Sequence, residues 1–175
     1  GKFLESNLSH IAFVDWDVYF PTGTLMRLME RDVDIVAASY PYKSEPLDFP
    51  MAWLGEPGSP IVSVDPKTGK GDKNGLIEVS GAPTGCMVIK RECLEKMIEM
   101  RPNLEYYEPS LKGSKAYSLF EWVRKNKLIF TEDYAFCYLA RECGIRVWLD
   151  PDIDMMHVGP KQFRGNVGKW LQGRT

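Results

Sequence analysis

Apolar and polar positions along this chain follow two periods, one typical of strands and the other of helices. Near the N-terminus, Leu4 and Leu8 lie four residues apart, which predicts the last turns of a helix. The run "IAFV" at residues 11–14 comes next. Because its apolar side chains occupy both faces, it predicts a central parallel strand.

The following segment predicts a helix and a second strand. Leu25, Leu28 and Met29 form a stripe with helical spacing. Thr22 or Thr24 is the expected N-cap of this helix, because a hydroxyl oxygen there accepts a bond from an unpaired N–H group. The run "DIVAAS" at residues 34–39 then predicts the next strand.

The middle of the chain is less regular. Between Pro41 and Gly75, prolines, glycines and short apolar pieces predict an irregular hairpin excursion. The segment "LIEVSGAPTGCMVIK" at 76–90 predicts two strands around a bend of small residues, and a helix ending at Arg101 follows it. "AYSLFEWV" at 116–123 predicts a further strand.

The last third predicts a helix, two strands and a short terminal helix. Residues 132–143 carry an apolar stripe, and Gly144 is the expected stop. "IRVWLD" and "IDMMHV" predict strands, and Trp170 marks the short helix. The expected fold is α/β, with a mixed, mostly parallel central sheet flanked by helices in one domain over residues 1–175.

Composition narrows the classes of function. The chain has 175 residues, 44% of them hydrophobic, which suits one globular domain. A net charge of −2 without a basic block argues against nucleic-acid binding. No apolar run approaches the ~18 residues of a membrane span, so the default expectation is a cytoplasmic protein. The four cysteines form no C-x-x-C pair, which favours buried reduced thiols over a disulfide or a zinc site.

Asp15 and Asp17 are the first candidate for chemistry. On a strand, positions i and i+2 project from the same face, and two carboxylates ~4 Å apart repel by roughly 4 kcal/mol at an effective dielectric near 20. A cation would remove that cost. The same spacing recurs at Asp32/Asp34 and at Asp150/Asp152/Asp154, where solvated turn residues are the simpler interpretation. Only the first pair ends an apolar run, and ligands bind beyond the carboxyl ends of strands in open α/β sheets.

Glu132 and Asp133 open a predicted helix after Thr131, so ordinary N-terminal capping is one interpretation. At 100° per residue, however, Glu132 falls within the apolar stripe and Asp133 beside it, so neither is expected on the solvent face. A carboxylate there could accept a proton from a hydroxyl nucleophile.

Two further features have two interpretations each. His157 is either an ordinary core residue or a metal ligand. The bend "SGAPTG" at 80–85 is either a plain turn or a place where backbone approaches a ligand.

Five segments in order resemble a glycosyltransferase of the GT-A fold, similar in organisation to family 2. They are "FVDWD", "DIVAASYPYK", "GAPTGCMVIKRECLEKM", "TEDYAFCYLARECG" and "HVG", and together they extend over nearly the whole chain. The resemblance implies transfer of a sugar from a nucleotide-diphosphate donor, linked to UDP or GDP, to a hydroxyl of a carbohydrate or glycan acceptor.

The resemblance also implies roles for individual residues. Asp15 and Asp17 would hold Mn²⁺ or Mg²⁺ on the donor diphosphate, and His157 would complete the coordination. Asp133 matches the general base of inverting members, with Glu132 beside it as a supporting carboxylate. The further positions that the resemblance connects with the donor are Gly85, in the stretch that shapes the sugar pocket, and Lys43, Lys161 and Arg164, as possible diphosphate contacts.

The resemblance departs from the family at its front. Family members usually begin with a β-α-β half that binds the nucleoside, and this chain starts at the helix just before the "DWD" strand. We therefore expect the C-terminal two-thirds of the full fold, a partner chain that completes the donor site, or a protein that has lost donor binding. Two other classes stay open: a non-catalytic sugar- or nucleotide-binding remnant, and a metal-dependent phosphate-transfer enzyme. A retaining transferase could use the same metal site.

Overall fold

The computed structural model describes residues 2–51, 74–107, 109, 115–125 and 127–173. Among these residues the helices are α1 (Lys2–Glu5), α2 (Thr24–Glu30), α3 (Arg91–Met100), α4 (Glu132–Glu142) and α5 (Val167–Gln172), with a 3₁₀ turn at Pro102–Leu104. The strands are β1 (His10–Val14), β2 (Val18–Tyr19), β3 (Ile35–Ala37), β4 (Ile77–Val79), β5 (Cys86–Lys90), β6 (Glu105–Tyr107), β7 (Lys115–Tyr117), β8 (Val123–Lys125), β9 (Leu128–Phe130), β10 (Val147–Leu149), β11 (Met155–Val158) and β12 (Gln162–Gly165).

The largest sheet has five strands in the order β1-β5-β3-β10-β4. Only the pairing of β3 with β10 is parallel, whereas β1 with β5, β3 with β5 and β10 with β4 are antiparallel. The prediction of a mostly parallel sheet is therefore wrong. Three strands, β1, β3 and β10, do share one direction, but β5 runs the opposite way between β1 and β3. An apolar run reports that a strand is buried and does not report its direction.

Strand β1 lies at the edge of this sheet, and β5 is its one partner among the described residues. The prediction of a central parallel strand over residues 11–14 is therefore wrong. Ile11 and Phe13 pack against the core, while Val14 on the other face is 45% exposed. The alternation of side chains across a strand thus separates two faces that the apolar sequence made look alike.

Helices cover both faces of the five-stranded sheet. Ile35 and Ala37 of β3 belong to the core that contains Phe136 of α4 and residues of α3. Val36 between them belongs to a second core on the opposite face, which includes Leu28 of α2. The mixed α/β architecture with flanking helices agrees with the sequence, and helices α3, α4 and α5 lie where the apolar spacing predicts them.

A small sheet in the order β12-β11-β2 extends the second core. The register aligns Val18, His157 and Phe163 across its three strands, and aligns Tyr19, Met156 and Arg164 in the next row. Val18 and Phe163 are buried, so the first row faces inward. Successive side chains on a strand point to opposite faces, so Arg164 projects away from His157.

Two local predictions are wrong for reasons of packing and capping. Helix α2 has Gly23 at its N-cap, and the Thr24 hydroxyl donates instead to the Pro21 carbonyl at 2.8 Å. The segment "AYSLFEWV" is divided between β7 and β8 with no strand between them. Phe120 in that interval stacks on Phe136 at 4.5 Å between ring centroids, so this residue is apolar because it packs on α4.

Further predictions have mixed outcomes. The four cysteines are buried free thiols, as predicted. Strands β4 and β5 flank the predicted bend, and Gly144 ends α4 with a positive φ of 70°. Residues 52–73 of the predicted hairpin excursion lie outside the described residues. Within the described part of the chain, no helix has the length and apolar character required to cross a membrane.

Candidate functional site

Asp15 and Asp17 lie on a β-turn that begins where β1 ends. The Val18 amide donates to the Asp15 carbonyl at 3.2 Å, which closes the turn. The prediction that both carboxylates project from one face of a strand is therefore wrong. The turn is held in place from both sides, because the Asp15 amide donates to the Gly85 carbonyl at 3.0 Å and the Val158 amide donates to the Asp17 carbonyl at 2.9 Å.

The Asp17 carboxylate faces two nitrogen atoms. Lys43 Nζ lies 2.5 Å from Asp17 Oδ2, and His157 Nε2 lies 3.6 Å from the same oxygen. The hydrogen bond from Lys43, together with the positive charge of that lysine, lowers the pKa of Asp17 and outweighs the opposing effect of desolvation. Asp17 is therefore ionised at neutral pH, and it is bound to a cation.

His157 is oriented by its other ring nitrogen. Nδ1 lies 2.9 Å from the carbonyl oxygen of Pro41, and a carbonyl can only accept, so Nδ1 carries the hydrogen. In the neutral ring the lone pair is then on Nε2, the atom that faces Asp17. The Tyr40 ring packs edge-on against the imidazole at 4.8 Å between centroids. A carbonyl that fixes the tautomer in this way is typical of metal-binding histidines.

Asp15 binds a different partner from that of Asp17. The buried Tyr40 hydroxyl donates to Asp15 Oδ2 at 3.2 Å. Burial raises the pKa of Tyr40, and the negative charges of Asp15 and Asp133 raise it further. A Cβ at Gly85 would overlap both Asp15 Oδ2 and the Tyr40 hydroxyl. The position therefore requires glycine for close approach rather than for an unusual φ.

Asp133 lies in the first turn of α4 and binds the same bend. Thr84 donates to it twice, from Oγ1 to Oδ1 at 2.6 Å and from the backbone amide to Oδ2 at 3.2 Å. Thr84 immediately precedes Gly85, so the bend connects Asp133 with the Asp15 and Tyr40 pair. These two hydrogen bonds fix the orientation of the Asp133 carboxylate.

Glu132 does not join this cluster through any contact among the described residues. Its side chain is exposed and accepts a hydrogen bond from Trp122 Nε1 at 2.8 Å. The prediction that Glu132 avoids the solvent face is wrong, because the start of α4 extends beyond the apolar layer that buries Phe136 one turn later. Thr131 occupies the N-cap, although its side chain makes no capping bond.

The two remaining cationic candidates lie elsewhere. Lys161 pairs with Glu45 at 2.8 Å, and Arg164 donates to Gln162 at 2.7 Å. Arg164 also lines a cavity of about 530 Å³ on the outer face of the small sheet. The structure therefore brings Lys43 to Asp17 but places Arg164 on the side opposite His157.

Sequence reasoning missed Tyr40, Thr84 and the Pro41 carbonyl. Tyr40 and Pro41 follow the end of β3, so their position at the carboxyl end of a strand was the available signal. Thr84 was inside the bend already singled out for its small residues. Its role depends on Asp133, 49 residues further along the chain, which the sequence does not reveal.

Asp17 and His157 are the described residues that could hold a divalent cation. No group of three or more His, Cys, Asp or Glu side chains in the described part of the chain is arranged as a metal site. Mg²⁺ commonly takes only one or two protein carboxylates and completes its shell with phosphate oxygens and water. Oxygen ligands also suit Mn²⁺, and neutral imidazole is a common metal ligand in proteins. The geometry therefore fits a metal whose other ligands come from a diphosphate, provided that Lys43 leaves Asp17.

Comparison with known proteins gives one structural similarity and no family. No family model and no curated protein matches this chain. A solved structure titled "Crystal Structure of A197 from STIV" is similar with a TM-score of 0.50 and 19% sequence identity, covering 94% of this chain and 71% of that one. At this identity the likeness supports a shared fold and carries no information about activity.

Proposed function

We propose that this protein is a metal-dependent glycosyltransferase of the GT-A type that uses a nucleotide-diphosphate sugar. The observation that carries the proposal is a continuous set of contacts among residues from distant segments. Asp17 faces His157, His157 packs on Tyr40, and Tyr40 binds Asp15. Asp15 in turn lies against Gly85, and Thr84, the residue before Gly85, binds Asp133.

The proposed donor site comprises Asp17 and His157. Their oxygen and nitrogen atoms would hold Mn²⁺ or Mg²⁺ against the donor diphosphate, and the metal would supply positive charge to stabilise the departing nucleoside diphosphate. Asp15 acts here as a positioning residue, because its carboxylate binds Tyr40 and thereby keeps the Tyr40 ring against His157. Lys43 is the cationic residue nearest to the proposed diphosphate position.

The proposed base is Asp133. Each of its carboxylate oxygens accepts one bond from Thr84 and retains a further lone pair. Asp133 could therefore take the proton of an acceptor hydroxyl while the hydroxyl oxygen attacks the anomeric carbon. The bond to the diphosphate breaks as the new glycosidic bond forms, so the configuration inverts. Glu132 and the exposed Trp122 ring beside it would form part of the acceptor surface.

The experiment is a turnover assay with UDP- and GDP-linked sugars and Mn²⁺, in parallel with plain nucleoside triphosphates. We expect turnover of the sugar nucleotides only, and a loss of about 10²–10⁴-fold in Asp133→Asn with metal-dependent nucleotide binding retained. Asp154→Asn is the matched control, because Asp154 lies outside the cluster and pairs with Lys169 at 3.3 Å.

Three outcomes would contradict the proposal. Cleavage of nucleoside triphosphates at the same rate would indicate the phosphate-transfer enzyme. Binding of metal and nucleotide without any turnover would indicate the non-catalytic remnant. Full transfer activity of Asp133→Asn would show that Asp133 is not the base. The argument for inversion of configuration would then also fail.

A further inference from the structure

Lys43 occupies the position that the proposed cation needs. Its Nζ lies 2.5 Å from Asp17 Oδ2, and His157 Nε2 lies 3.6 Å from the same oxygen. The Asp17 carboxylate is an anion, so a positive charge beside it is favourable. In this structure the ammonium of Lys43 supplies that charge.

The aliphatic part of the Lys43 side chain packs against Gly159. A Cβ added at Gly159 would lie 2.9 Å from Lys43 Cδ, so the stem passes directly over the bare backbone of Gly159. The ammonium makes one ion pair within the described part of the chain, and 34% of the side chain is exposed. A single, partly exposed ion pair is weak enough to exchange with another cation. The stem can therefore stay in place while the ammonium moves.

We propose that Lys43 is a built-in counter-ion that a divalent metal displaces from Asp17, and that the released ammonium then binds the diphosphate arriving with the metal. This inference rests on the proposed function, because it concerns regulation of the same site. Asp17 Oδ2 cannot bind both cations at once without strong repulsion between them. The lysine thus opposes metal binding alone and favours metal and diphosphate together.

The consequence is a coupling between the two ligands. Without a diphosphate, the metal must break the Lys43 to Asp17 pair and leave the ammonium with no anionic partner. With a diphosphate, phosphate oxygens replace the carboxylate as that partner. Each ligand should therefore tighten binding of the other by the same factor in the wild-type protein.

The test is calorimetric titration of Mn²⁺ into the wild-type protein, Lys43→Gln and Lys169→Gln. We expect Mn²⁺ alone to bind Lys43→Gln about tenfold more tightly than wild type, because one positive charge has left the site. Lys169→Gln is the matched control, because it removes the same charge from an ion pair with Asp154 outside the cluster, and it should resemble wild type. Lys43→Arg keeps the charge and should also bind weakly, and Asp17→Asn should not bind.

The same titrations in UDP or GDP give the second readout. We expect the nucleotide to tighten Mn²⁺ binding in wild type by a larger factor than in Lys43→Gln. Equal or weaker Mn²⁺ binding by Lys43→Gln, with wild type still binding, would overturn the inference and leave the proposed function standing. Absence of Mn²⁺ binding in every protein, with each shown to be folded by circular dichroism, would overturn both.

Discussion

Two aspartates of this protein lie after strands, belong to D-x-D sequences and have a lowered pKa, yet their surroundings differ. Asp17 follows β1 and has one lysine partner, with 14% of its side chain exposed. Asp150 follows β10 and has a side chain that is 0% exposed. Arg27 binds Asp150 in a bidentate manner at 2.8 and 2.9 Å, and Arg31 adds bonds at 2.7 and 2.9 Å.

The difference separates a structural carboxylate from an exchangeable one. Asp150 has two arginines and also accepts a bond from the Asp152 amide at 3.2 Å, so no room is left for a ligand. It attaches helix α2 to the sheet. Among the described residues, Asp17 has one displaceable lysine partner, and His157 Nε2 lies beside it. The number of partners and the access to solvent, rather than the D-x-D spacing, distinguish the two sites.

The largest expected effect is the difference in unfolding free energy between variants of Asp150 and Asp17. Asp150→Asn should lower the free energy of unfolding by about 3–5 kcal/mol, because it leaves two arginines without their buried partner. Asp17→Asn should cost less than about 1 kcal/mol, because its ion pair is partly exposed and single. Urea unfolding followed by circular dichroism measures both variants under the same conditions. Similar losses in the two variants would show that access to solvent does not separate them.

The sequence predicts most helices and strands, but it predicts less well how they are paired and which of their residues are exposed. Helix α4 follows from the spacing of Phe136, Leu139 and Ala140, which are all buried. The direction of β5 does not follow from its apolar run, because a strand is equally buried whichever way it runs in the sheet. Helical spacing likewise does not predict that Glu132 is exposed, because the apolar layer that covers Phe136 does not extend to the first turn of α4.

The candidate site shows the same limit. Its acidic residues and His157 can be found because their chemistry is uncommon at the ends of apolar segments. Their partners cannot be found in that way, because Lys43 lies 26 residues from Asp17 and Pro41 lies 116 residues from His157. One argument for the metal is the repulsion between two carboxylates at this spacing. The structure relieves that repulsion locally, since each carboxylate has its own donor.

A second test concerns the close approach that keeps the Asp15 and Asp17 turn in place. Gly85→Ala should lower the free energy of unfolding by about 1–3 kcal/mol, because a Cβ there forces Tyr40 and Asp15 apart. Gly173→Ala is the matched control, because its Cβ would meet no heavy atom closer than 3.7 Å. Thermal unfolding of both variants measures the difference. A neutral Gly85→Ala would show that the turn tolerates movement of Tyr40.

The smallest effect is the dependence of the Asp150 contribution on pH. Burial alone would raise the pKa of Asp150, but hydrogen bonds and charges from Arg27 and Arg31 outweigh it, so the pKa falls below its ordinary value of 3.8. The unfolded chain therefore takes up the proton first as pH falls. The stability that Asp150 contributes is complete above the ordinary value and is lost as pH falls through the lowered one.

The measurement is the difference in unfolding free energy between wild type and Asp150→Asn from pH 7 to pH 2.5. We expect a constant difference above about pH 5 and a difference that shrinks progressively as pH falls below about 4. The lowered pKa of Asp17 makes both proteins less stable in acid, but it affects them equally and cancels in the difference. A difference that stays constant to pH 2.5 would mean that Asp150 acts through hydrogen bonds that asparagine cannot replace, and not through its charge.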